Sequence, residues 1–136
     1  MRTKQRNNLA ETACHERVAQ NTDVYAVKAR NYKGLRRGSP VFCRNNWHIH
    51  HAKNGGGQIL VCVAGRGYYQ EWGKPAQELR PGDVVNIPVG VKHWHGAAPD
   101  SWFSHLAVEV PGDETSNEWL EAVDNTVYFK ATGKEV

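Results

Sequence analysis

The chain has 136 residues, of which 40% are hydrophobic, 23% charged and 10% aromatic; that composition supports one packed, soluble domain and excludes both a large modular enzyme and a disordered tail. The formal net charge of +3 is divided unevenly, with ten Lys/Arg against three Asp/Glu in residues 1–44 and seven against eleven in residues 45–136. Six of the seven histidines lie between His48 and His105, in the acidic part.

In chain order, residues 1–40 read as a basic, weakly structured head, and residues 41–136 as the main domain. Within the head, a helical turn over Glu11 to Ala19 and a strand at Val24 to Lys28 are the expected pieces. The first twenty residues hold no apolar run long enough for a secretory signal, and the longest apolar stretch, Ile59 to Ala64, is far short of a bilayer span. Cys14, Cys43 and Cys62 form no C-x-x-C pair and cannot all be paired in one chain. The expectation is a disulfide-free fold in a reducing, cytoplasmic compartment. Basic residues in the head are scattered, without interleaved aromatics, so neither nucleic acid nor membrane is an expected partner.

From Pro40 onward short apolar runs alternate with Gly, Pro and Asp. Val41 to Cys43, Trp47 to His51, Ile59 to Ala64, Tyr68 to Trp72, Val84 to Ile87, the segment around His93 to Gly96, and Trp102 to Val110 read as strands. Strands recurring every eight to twelve residues or so between turn signals predict an all-β antiparallel sandwich or barrel. Gly65-Arg-Gly67, Gly73-Lys-Pro75 and Arg80-Pro-Gly-Asp83 read as turns. Asp124 ahead of Asn-Thr-Val-Tyr-Phe-Lys is placed to cap a short C-terminal helix closing one end of the barrel.

His48 and His50 are two residues apart, so on a strand both side chains leave the same face. His93 and His95 repeat that spacing on a later strand, and His105 lies on the next. Neutral imidazole is the commonest protein ligand for transition metals, so two H-x-H pairs in one small β domain point to a metal site. His51 is one residue out of phase and is expected to point outward. Trp47, Trp94 and Trp102 are expected in packing under the C-terminal tail more than in a pocket wall. Cys62, in phase with Gln58 and Leu60, reads as a buried small hydrophobe, and the Gly55-Gly-Gly57 run as a flexible approach to Gln58.

These residues resemble the cupin superfamily. Its first motif has H-x-H, then Glu or Gln, then six residues and Gly; here that is His48-Ile-His50, Gln58 and Gly65. Its second, G-x5-P-x-G-x2-H, is matched by Gly82, Pro88, Gly90 and His93. The Gly that usually precedes H-x-H is replaced by Phe42, the closing Asn by Ala97, and seven residues separate His50 from Gln58 where three or four are usual. With Gln in place of Glu, and with the segments W-H-x-H and H-W-H-G-A-A-P, the chain is similar to the subgroup containing manganese-dependent hydroxynitrile lyases and cupins associated with carboxymuconolactone decarboxylase domains. The resemblance implies a jelly-roll double-stranded β-helix binding one divalent transition metal, manganese ahead of iron, zinc or nickel. It implies His48, His50, Gln58 and His93 as ligands, with His95 and His105 as acid/base groups. It further implies an enzyme acting on a small oxygenated molecule by lyase, decarboxylase-like, isomerase or oxygenase chemistry, and a homodimer. The alternative is a non-catalytic cupin that binds or senses a metabolite or the metal itself.

Overall fold

The computed structural model describes residues 15–21, 24–29, 32–33 and 40–134. Among the described residues, fourteen strands and one helix follow one another: β1 (His15–Asn21), β2 (Val24–Ala29), β3 (Tyr32–Lys33), β4 (Pro40–Val41), β5 (His48–His51), β6 (Asn54–Gly55), β7 (Gln58–Gly65), β8 (Gly67–Glu71), β9 (Gln77–Leu79), β10 (Val84–Ile87), β11 (His93–Ala97), β12 (Phe103–Glu109), β13 (Gly112–Asp113), β14 (Ser116–Trp119) and α1 (Asn125–Thr132). All pairings are antiparallel, and two five-stranded sheets form the body, in the orders β1-β2-β12-β7-β10 and β14-β5-β11-β8-β9. This is the jelly-roll architecture that the cupin resemblance implied.

Period-2 alternation decides which residues enter the space between the sheets. On β7 the buried positions are Gln58, Leu60 and Cys62; on β10, Val85 and Ile87; on β12, Phe103, His105 and Ala107. Leu60, Cys62, Val85, Ile87, Phe103 and Ala107 pack with Cys43, Tyr69, Leu79 and Ala97 into one apolar core. Polar residues collect toward one end of it. Gln58 pairs with Glu109 at that end of β7 and β12, whereas Phe103 pairs with Gly65 at the other.

The outer face of the second sheet is also covered. Trp47, Tyr68, Trp94, Ala98, Val123 and Tyr128 form a second buried cluster, joined by Phe42, Val127 and Phe129. Helix α1 begins at the expected place: Asp124 accepts a hydrogen bond from Val127 N–H at 2.8 Å, and Gly133 ends the helix with φ of 71°. It lies on the face of β11 opposite the histidines, because its Tyr128 packs on Trp94, so it covers a sheet face and does not close a barrel end. Trp47 and Trp94 thus pack under the tail as expected, while Trp102 is 43% exposed.

Two of the expectations for this part of the chain need correction, and one holds. The helical turn over Glu11 to Ala19 gives way to β1 from His15 onward, with residues 11–14 outside the described residues; β1 is held by its ladder with β2, so pairing overrides the local pattern. The expected strand at Val24 to Lys28 is present as β2, which pairs with β12 and carries part of the basic head into the first sheet. The chain is also not disulfide-free: Cys43 is disulfide-bonded and Cys62 is a free, buried thiol. An odd cysteine count forbids complete pairing but not one bond, and the argument from cysteine to a reducing compartment loses its premise. Among the described residues no helix is long and apolar enough to cross a membrane.

Candidate metal centre

Strands β5 and β11 are neighbours, and His93 stands directly opposite His48 in their ladder. That register, added to the two-residue spacing of His48 and His50, brings three imidazoles from two strands together. Their ring centroids are 4.1 Å apart for His48 and His93, 5.2 Å for His48 and His50, and 5.1 Å for His50 and His93. One nitrogen from each lies within 4.8 Å of the other two, and all three residues are buried.

The rings are oriented by partners on their Nδ1 atoms. His48 Nδ1 lies 2.8 Å from Asn46 O, His93 Nδ1 lies 2.9 Å from Val91 O, and His50 Nδ1 lies 2.7 Å from Asn117 Oδ1. A carbonyl oxygen only accepts, so each Nδ1 carries the proton and each neutral ring keeps its lone pair on Nε2. Among the described residues, Nε2 of His50, Nε2 of His93 and Oε1 of Gln58 are buried without a hydrogen-bond partner. Such orphans are costly in an apolar interior unless something absent from the protein chain satisfies them. A divalent cation is a fitting ligand, since imidazole nitrogen and amide oxygen both donate to it.

Gln58 enters from the opposite sheet, and its amide faces His50. The backbone just before it is tightly set. Gly57 has φ of +100°, and a Cβ there would stand 2.7 Å from Ile87 O. A side chain at Gly57 would therefore displace the first residue of β7, and with it Gln58. The glycine run is thus a fixed bend beside the β6–β13 pair.

Burial dominates the electrostatics. It lowers the pKa of His50 and pushes that of His93 down to about 4, so both rings are neutral and able to ligate at neutral pH. Burial also raises the Cys62 thiol and the Tyr69 phenol, the latter donating to Glu71 Oε1 at 3.1 Å.

His95 and His105 are both buried, on opposite sheets, with ring centroids 5.0 Å apart in an edge-to-face arrangement. His95 lies 5.7 Å from His48 and 6.3 Å from His93 by the same measure. All six residues singled out in the sequence therefore face one interior region. His51 points outward and meets Glu118 at 2.8 Å.

Three neighbours went unrecognised in the sequence. Asn117 and Trp119 on β14 stand opposite His50 and His48, and the Trp119 ring stacks on His48 at 4.4 Å. Their signal was the shared two-residue spacing of N-x-W, obscured because Ser116 and Glu118 alternate polar with polar. Asn45, from the irregular segment before β5, engages His95.

No family model matches the chain. An 85-residue stretch is 41% identical to an (R)-mandelonitrile lyase of Granulicella tundricola, spanning 62% of this chain and 62% of that relative. A crystal structure of a cupin-like protein from Thermotoga maritima is 32% identical, with a TM-score of 0.63, covering 89% of this chain and 85% of that one. A sugar phosphate isomerase of the cupin superfamily from Silicibacter pomeroyi shares the fold at a TM-score of 0.59, with 14% identity over 83% of this chain and 70% of that one. With the two H-x-H pairs in the interior of a jelly roll and the cupin-like relative 32% identical over 89% of this chain, the chain belongs to the cupin superfamily.

Proposed function

We propose that this cupin is a metal-dependent lyase acting on a small oxygenated organic molecule, an α-hydroxynitrile being the class favoured by the mandelonitrile lyase relative. The observation that carries the reading is the set of buried, unpartnered donor atoms on His50, His93 and Gln58 beside His48. These four residues would hold one divalent ion, manganese being the first choice. When bound, the ion supplies a Lewis acid toward a substrate oxygen, and the neutral amide of Gln58 tempers its charge less than a carboxylate would.

The protein's own contribution is proton movement in a dry interior. His95, beside the cluster, and His105 face each other from opposite sheets with ring centroids 5.0 Å apart, a spacing that lets both serve one small molecule. For a hydroxynitrile, one imidazole takes the hydroxyl proton, and the O–H electron pair becomes the carbonyl π bond. The bond to the nitrile carbon breaks, its electron pair leaves with cyanide, and the proton is returned to give hydrogen cyanide. Phe103, in the adjoining apolar core with Ala107 and Leu60, lies 4.9 Å from His105 between ring centroids and gives that imidazole an apolar neighbour.

The test is release of benzaldehyde from mandelonitrile by manganese-loaded protein, compared with His105→Ala and His95→Ala. The reading expects turnover in the parent and a loss on the order of 100-fold or more in at least one variant. A metal-loaded protein without turnover would favour the non-catalytic binding role, and equal rates in all three proteins would remove both histidines from the chemistry.

A further inference from the structure

Strand register lays a row of side chains across the inner face of the second sheet: Trp119 on β14 stands opposite His48 on β5, His48 opposite His93 on β11, and His93 opposite Glu71 on β8. The two ends of that row are finished differently. Glu71 is satisfied, accepting from Tyr69 Oη at 3.1 Å and meeting Lys74 Nζ at 2.7 Å. Trp119 stacks on His48 with ring centroids 4.4 Å apart and planes 27° apart. Among the described residues, its Nε1 is buried with no hydrogen-bond partner.

That orphan differs in kind from those on His50, His93 and Gln58. Imidazole nitrogen and amide oxygen offer lone pairs, which a cation satisfies; the indole nitrogen carries a proton and can only donate. A metal ion held by the histidines therefore leaves the Trp119 N–H in need of an acceptor. The face of His48 does not serve. An indole N–H lies in the plane of its own ring, and with the planes only 27° apart it runs alongside the imidazole instead of into it. Buried lone pairs and a buried donor in one row are satisfied together by a cation and, beside it, an acceptor atom of a second molecule.

We propose that the Trp119 N–H is a ligand-recognition group of this site, donating to an acceptor atom of the small molecule that occupies it. The substrate part rests on the lyase reading. In a hydroxynitrile the hydroxyl is engaged by the imidazole that takes its proton, and the remaining acceptor is the nitrile nitrogen, where negative charge grows as the carbon–carbon bond breaks. An N–H donating there stabilises the departing cyanide. The indole keeps its own proton throughout, and the proton that completes hydrogen cyanide still comes from the imidazole.

The experiment is proton–nitrogen NMR of the indole N–H groups in the zinc-loaded full chain, the Trp119 resonance being identified by its loss in Trp119→Phe. The probe is sodium azide, a linear anion with an acceptor at each end. The Trp119 N–H should shift downfield as azide is added. A Trp119 resonance left in place at the highest azide concentration would overturn the proposal, whether or not the zinc-site histidines respond. In the manganese-loaded protein, Trp119→Phe keeps an aromatic ring for His48 and removes the donor, so kcat for mandelonitrile should fall on the order of 100-fold with metal content unchanged. Trp119→Leu removes ring and donor together. Wild-type kcat in Trp119→Phe, beside a loss in Trp119→Leu, would assign Trp119 to packing on His48 and overturn its role toward the substrate. If no form of the protein cleaves mandelonitrile, the lyase reading fails while the azide titration still decides whether the N–H meets a ligand.

Discussion

His93 and His95 point from β11 into the space between the sheets, while Trp94 between them points out beneath α1, and all three are buried. The two faces of this one strand are built on different terms. On the outer face the aromatic groups are packed and their polar atoms satisfied: Trp94 Nε1 donates to Gln70 Oε1 at 2.8 Å, and Tyr128 Oη donates to Ala97 O at 2.6 Å. Arg44 adds a clasp, reaching Val123 O at 2.7 Å and Asn125 Oδ1 at 2.8 Å while lying over the Tyr128 ring. On the inner face, buried nitrogens and an amide oxygen are left unpartnered. Burial with satisfaction contributes stability; burial without it costs stability, and the protein bears that cost where a ligand is to be held.

The outer face should therefore govern folding and the inner face binding. Trp94→Ala empties a fully buried site and is expected to cost about 3–5 kcal/mol in denaturant unfolding, while metal bound per folded molecule stays the same. Lost metal affinity in molecules that remain folded would show that the two faces are not separable.

Acid should act through the inner face. Burial holds the folded pKa of His93 near 4 against an ordinary 6.5, so the unfolded chain takes up a proton that the folded one refuses. This penalty is absent well above pH 6.5, grows as pH falls below it, and levels off near pH 4. The metal-free protein should thus lose roughly 3 kcal/mol across that window, an effect that unfolding curves at several pH values would detect and that His93→Gln should diminish. A smaller effect is expected from Tyr128→Phe, which removes one hydrogen bond to Ala97 O and should cost about 1 kcal/mol with metal binding untouched.

Sequence made the inner face more legible than its supports. His48, His50, Gln58 and His93 could be found because strand alternation and motif spacing bear on the same residues. Asn117, Trp119 and Asn45 could not, because their roles depend on which strand lies beside which: Asn117 matters only because β14 pairs with β5. Strand β1 escaped for a related reason, since HERVAQN has no apolar alternation and is held by pairing with β2. The helix cap at Asp124 was legible because a cap is a local device, yet the face that α1 covers was set by Trp94 and Tyr128, some thirty residues apart. Cysteine counting failed at Cys43 because it constrains how many bonds can form and not whether one does.

The central claim is that the unpartnered atoms of His50, His93 and Gln58 belong to one metal. Crystals of protein purified without chelator, scanned across the manganese, iron, nickel and zinc absorption edges, test it most directly. The account predicts one anomalous peak among His48, His50, His93 and Gln58, absent in a folded His48→Ala/His93→Ala protein. A folded wild-type protein exposed to these ions that shows no peak there, with those nitrogens hydrogen-bonded to water alone, would contradict it.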